Sequence, residues 1–159
     1  MQRFLLSPNF YLDEFCRSQT AERLGRSIVV EQDSEIFQNL KQLCATVLQP
    51  LRDELGVSIT ITSGYRPKWL NDHIGGSQTS YHLFGLAADL VVPGVPPLQV
   101  AQAFERLSLP FQQVINEYGS WTHVAVPPIG EEPLRQSLTF AHNGEQRCVK
   151  AGLHNVVQA

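Results

Sequence analysis

Cysteine is scarce in this sequence. The three that occur, Cys16, Cys44 and Cys148, stand far apart, with no Cys-x-x-Cys pair among them. Such an odd, scattered set does not read as a disulfide framework. It reads as small apolar side chains in a reducing compartment. Charge is balanced as well: 12 basic against 15 acidic residues, a net −3, with no block of one sign. That argues against general affinity for nucleic acid or for an anionic membrane surface. No stretch approaches the ~20 apolar residues of a membrane span, so no membrane insertion is expected. The opening "MQRFLLSPNF" has one arginine and a short apolar run that Pro8 soon ends, unlike a signal peptide. The expected product is made in the cytoplasm, and action beyond the membrane would need release or delivery by another system.

What is present is ordinary for a globular chain: 43% hydrophobic and 17% charged residues over 159 positions. That length fits one domain, residues 1–159, able to bury its own core as a monomer. The patterned part runs from about 9 to 140, and the tail 141–159 is poorly specified. "NFYLDEF" has apolar residues in helix-like spacing (Phe10, Leu12, Phe15), and Ser18 or Thr20 can cap a short helix after it. The strongest helix is "DSEIFQNLKQLCATVLQPLRDELG". Its apolar stripe runs from Ile36 to Leu55, with Asp33 or Ser34 to start it, Gly56 to end it and Pro50 to kink or split it. "SITITS", "GLAADLVV", "QQVINEY", "WTHVAV" and "QSLTFA" read as strands, "KWLNDHI" and "PLQVAQAFERLSL" as helices. This order indicates an α+β fold, a mainly antiparallel sheet with helices packed on one face.

Five histidines occur: His73, His82, His123, His142 and His154. On "GLAADLVV", side-chain alternation puts Ala87, Asp89 and Val91 on one face; on "WTHVAV" it groups Trp121, His123 and Ala125. A carboxylate in so apolar a strand needs a cation, a donor or water. If the two strands are neighbours, Asp89 and His123 converge, and the Gly-Gly loop before His82 can bring that residue over the same spot. Three such ligands with an open position suit catalytic zinc. A buried Asp–His hydrogen bond without metal fits the same residues, and both readings stand at this point.

Taken together, "SGYRP" (63–67), "LNDHIGGSQTSYHLFGLAADL" (70–90) and "EYGSWTHVAV" (117–126) resemble the zinc D-Ala-D-Ala carboxypeptidase family of peptidoglycan peptidases. "NFYLDEFCRSQTA" and "LKQLCATVLQPLRDELG" extend the likeness over roughly Asn9 to Thr139. It is nearest to the short phage and prophage-type members, which share a fold with the hedgehog signalling domain. The resemblance implies Zn2+ held by His82, Asp89 and His123, with Arg66 facing a substrate carboxylate or the developing oxyanion. Ser80 matches a family serine that orients the histidine or contacts substrate. Trp69 and Trp121 are candidates to flank the cleft, Trp121 as a substrate contact, although plain packing also accounts for a tryptophan.

One departure stands out. Many relatives carry the catalytic glutamate three residues before the last histidine ligand, where this chain has Ser120. The nearest upstream acid is Glu117. A three-residue loop of Tyr118, Gly119 and Ser120 would pair Glu117 with Trp121 and turn it to the His123 face; a two-residue loop would turn it away. The alternatives are Asp72 or His73 as acid–base group, or no catalysis. The expected activity is zinc-dependent hydrolysis of peptide bonds in bacterial cell-wall stem peptides, of D,D-carboxypeptidase or endopeptidase type. The rivals are the same chemistry on another bond, such as L-alanyl-D-glutamate, and a catalytically inactive zinc-binding structural or wall-binding module, such as a virion component.

Overall fold

The computed structural model describes residues 3–156. Near the start, β1 (Leu5–Ser7) pairs with β2 (Phe10–Tyr11), and a 3-10 turn, Leu12–Phe15, follows. The helix-like spacing of "NFYLDEF" therefore becomes a strand and a turn. Leu12 N–H is taken by the Phe4 carbonyl rather than by a helical neighbour, and the Glu14 carboxylate caps the turn on Tyr11 N–H. Phe10, Leu12 and Phe15 are buried all the same. Ser18 caps α1 (Gln19–Arg23) by accepting from Ala21 N–H.

The long helix opens at Ser34, whose hydroxyl accepts from Phe37 N–H. It runs as α2 (Glu35–Leu43), a π-helical turn (Cys44–Leu48) and α3 (Gln49–Leu55). Pro50 has no N–H to give to the carbonyl four residues back, and the helix widens just before it. Gln49 N–H instead reaches the Cys44 carbonyl, five residues back. After β3 (Thr60–Ser63) come α4 (Lys68–Ile74), a 3-10 turn at Tyr81–Phe84, β4 (Ala87–Val91) and α5 (Pro97–Arg106). The chain continues with β5 (Gln113–Glu117), β6 (Trp121–Ala125), β7 (Gln136–Asn143) and β8 (Gln146–Ala151).

The main sheet has the order β3-β4-β6-β5-β7-β8, antiparallel throughout except for the parallel pair β5–β7. One face carries Ala88, Leu90, Val114 and Val124, which share a core with Leu40, Leu43, Val47, Leu48 and Leu51 of the long helix and with Val100 and Phe104 of α5. Burying each such large side chain contributes about 1.5–3 kcal/mol. The fold is α+β, a mostly antiparallel sheet with helices on one face. Sequence pattern fades beyond Ala141, yet β7 and β8 form a hairpin there. Behind it, Thr139 accepts from His154 N–H and donates to the Gly152 carbonyl. No helix among the described residues is long and apolar enough to cross a membrane.

Candidate metal centre

The uncovered face of the sheet carries the polar residues. Asp89 of β4 lies directly opposite His123 of β6 in register, so two strands bring carboxylate and imidazole together with no help from a loop. His123 Nδ1 is 2.8 Å from Asp89 Oδ1. The third member arrives on the 3-10 turn that Ser80 caps: His82 Nε2 is 3.3 Å from the same oxygen. The three ligand atoms lie within 4.8 Å of one another. The histidines are 4% and 9% exposed, so bulk water does not separate the charges.

Backbone contacts hold His82 in place. Its Nδ1 is 2.8 Å from the Gly64 carbonyl, and its own carbonyl accepts from Arg66 N–H at 3.0 Å. Gly64 allows this because a Cβ there would meet the Cα and carbonyl oxygen of Phe15 at 2.6 and 2.7 Å. The N-terminal 3-10 turn thus packs directly behind a metal-site histidine. A carbonyl only accepts, so Nδ1 of His82 carries a hydrogen, which leaves Nε2 as the atom turned to Asp89 Oδ1. A cation seated between these two atoms would be bonded by both. Zinc bonds of ~2.0–2.1 Å at tetrahedral angles set ligand atoms roughly 3.3 Å apart, so the residues present fit a zinc ion. Burial opposes ionisation of Asp89, but the hydrogen bonds and charges of His123 and His82 outweigh it and hold the carboxyl well below the usual range.

Glu117 belongs to the same constellation. It pairs with Trp121 across a three-residue loop in which Tyr118 and Gly119 have φ of 60° and 65°. The glycine takes the second of two consecutive left-handed positions, where a side chain would add strain. Glu117 Oε1 stands 3.9 Å from His123 Nδ1. Burial first, then the Asp89 charge, push its carboxyl up to about 7, against weaker pulls from His123, Trp121 and Arg147. The Trp121 indole N–H is buried and makes no hydrogen bond among the described residues, and its dipole favours the Glu117 carboxylate.

Arg66 is half-buried beside the cluster and holds no carboxylate among the described residues. Its guanidinium donates instead to Asn71 Oδ1 (3.0 Å) and Ser80 Oγ (3.1 Å). Asn71 is fully buried and also donates to the Gly76 and Ser77 carbonyls, tying the arginine to the loop before His82. Nothing in "KWLNDHI" singles Asn71 out, because an amide carries no periodic signal. All of Arg66, Ser80, His82, Asp89, Glu117, Trp121 and His123 line one cleft of about 640 Å³.

The remaining candidates lie elsewhere. Asp72 is exposed and occupied by Lys68 and Gln78, His73 is exposed on α4, and neither lines the cleft. Trp69 stacks under Arg26 in a small satellite core. His142 stacks on Tyr118, and His154 bonds the Ala151 carbonyl.

No curated protein matches this sequence. The family model described as Peptidase M15 matches residues 8–125, which take in all three ligand positions, Arg66 and Glu117. The chain belongs to the Peptidase M15 family, a family of metallopeptidases.

Proposed function

We propose that the protein is a zinc peptidase that hydrolyses peptide bonds in the stem peptides of bacterial cell wall, of D,D-carboxypeptidase or endopeptidase type. One observation carries this reading: Glu117 reaches within 3.9 Å of a ligand histidine on a strand where register alone decides whether it faces the site. Zinc held by His82, Asp89 and His123 would polarise a peptide carbonyl and lower the pKa of water toward ~7. Glu117 takes the proton of the attacking water as its oxygen adds to the carbonyl carbon. It then delivers a proton to the amine as the C–N bond breaks. Arg66, bonded by no carboxylate among the described residues, grips a substrate carboxylate or steadies the oxyanion through two parallel N–H donors. Ser80 and Asn71 fix that fork, and the unpartnered Trp121 indole N–H is available to a peptide carbonyl. The pattern Glu117-x-Gly119-x-Trp121-x-His123 supports a place among the short phage-type members. Such a protein acts at the wall after release or delivery by a phage system.

The test is mass spectrometry of purified wall fragments after incubation with the zinc-loaded protein. Peptide-bond cleavage is expected, to be abolished by chelator and reduced about 10²–10⁴-fold in Glu117→Gln at unchanged zinc content. Undiminished cleavage by Glu117→Gln would assign the base elsewhere. A metal-loaded parent that cleaves nothing would make the protein a binding module.

A further inference from the structure

The family match ends at Ala125, the last residue of β6, whereas the cleft continues past it. Its far wall is built by β7 and β8. Register carries the cleft-facing pattern outward: Glu117 pairs with Phe140, and two residues along β7, His142 pairs with Arg147 of β8. Arg147 accordingly lines the cleft, with its guanidinium 4.9 Å above the Phe140 ring. It makes no hydrogen bond and no ion pair among the described residues. The amides on this wall are already engaged: Gln113 bonds Gln136, and Gln112 bonds Tyr81. The wall therefore offers one cation set on an aromatic shelf, bonded by no side chain among the described residues, whose field reaches Glu117. Arg66 follows β3 at one edge of the sheet and Arg147 sits on β8 at the other. The two carboxylates between them, Asp89 and Glu117, are turned to the metal centre. From β4 to β8 is four strand spacings, roughly 19 Å, enough for several residues of an extended peptide.

We infer that Arg147 forms a second carboxylate-binding subsite, across the cleft from Arg66, which selects peptides with acidic groups spread along their length. This deepens the peptidase reading and rests on it for the identity of the ligand. A guanidinium suits the task because it presents paired donors to a carboxylate, and packing on Phe140 restrains it before the ligand arrives. The subsite lies on the part of the chain outside the family match, so it would set this protein's preference without touching the shared centre.

The experiment uses a synthetic stem-type pentapeptide with its internal carboxylates free, and the same peptide with them amidated. Binding is measured by calorimetry on zinc-loaded Glu117→Gln protein, so that turnover does not interfere. The acidic peptide should bind about tenfold tighter, as one charge-assisted contact allows. Adding Arg147→Gln should erase that preference, Arg147→Lys should keep part of it, and Arg147→Glu should invert it. Melting temperatures should stay within a degree or two, because Arg147 is exposed. An acid preference unchanged by Arg147→Gln, or no binding of either peptide, overturns the subsite. Hydrolysis by the parent separates the two ideas. A parent that cleaves neither peptide while the acid preference depends on Arg147 sinks the peptidase reading alone; cleavage of both with no such dependence sinks the subsite alone.

Discussion

Asp89 and Leu90 are neighbours on β4, yet they live in different worlds. Leu90 is fully buried under the helices, while Asp89 faces the cleft with two imidazoles around it. The same contrast repeats on β6, where Val124 joins the core and His123 the metal cluster, and on β5, with Val114 and Glu117. Strand alternation thus lets one sheet hold stability on one side and chemistry on the other, with register joining the two. Substituting the neighbours separates the two roles. Asp89→Asn should weaken zinc binding on the order of 10³-fold or more, with the protein still folded. Leu90→Ala should keep one zinc per chain and lose about 2–5 kcal/mol of stability. Metal analysis and thermal melting on both variants check this. Zinc loss in folded Leu90→Ala would show that the two faces are not independent.

The link between the faces is tightest at Gly64, where the core-side turn at Phe15 meets the carbonyl that orients His82. Gly64→Ala should push that carbonyl off the imidazole and cost about 10–100-fold in zinc affinity, as removal of an orienting partner does. A competitive chelator titration reads the loss. Unchanged affinity would mean that His82 holds its tautomer and orientation without the Gly64 carbonyl.

The legibility of these parts follows from the same contrast. Alternation around Asp89 and His123 and the three-four stripe of the long helix were visible in the sequence, because burial imposes a period on the residues that share it. The convergence of those two strands needed only that they be neighbours, and the structure pairs them residue for residue. Glu117 was an open choice between two loop lengths; the positive φ of Tyr118 and Gly119 accompanies the three-residue solution. What escaped had no period to display. Asn71 and Gly64 act through backbone carbonyls brought close by the fold, and Arg147 sits on an exposed hairpin where polar residues alternate with little else. The start of the chain misled for a related reason: Phe10, Leu12 and Phe15 are buried, but a strand and a 3-10 turn bury them as well as a helix does.

The smallest effect concerns the cost of keeping Glu117 where it is. Burial and the Asp89 charge raise its carboxyl to about 7 from an ordinary 4.5. The metal-free folded protein then retains a proton that the unfolded chain releases, so this group lowers stability as pH climbs from 4.5 to 7 and by a constant amount above. Asp89 works in the opposite sense: its depressed carboxyl contributes stability above the unfolded value near 3.8 and loses it as pH falls further. Comparing parent with Glu117→Gln cancels the Asp89 contribution to first order. Metal-free Glu117→Gln should therefore melt a few degrees above the parent at pH 8, on the order of 1–2 kcal/mol once screening in the open cleft is discounted. The gap should close near pH 4, where the glutamate is protonated in both states. It should also narrow when zinc is loaded, because a nearby cation favours the carboxylate. Equal melting temperatures at pH 8 would mean that Glu117 ionises without penalty, and a gap that persists at pH 4 would trace it to packing. The position that suits a general base is, on this account, one where an unloaded site resists the charge that a loaded site uses.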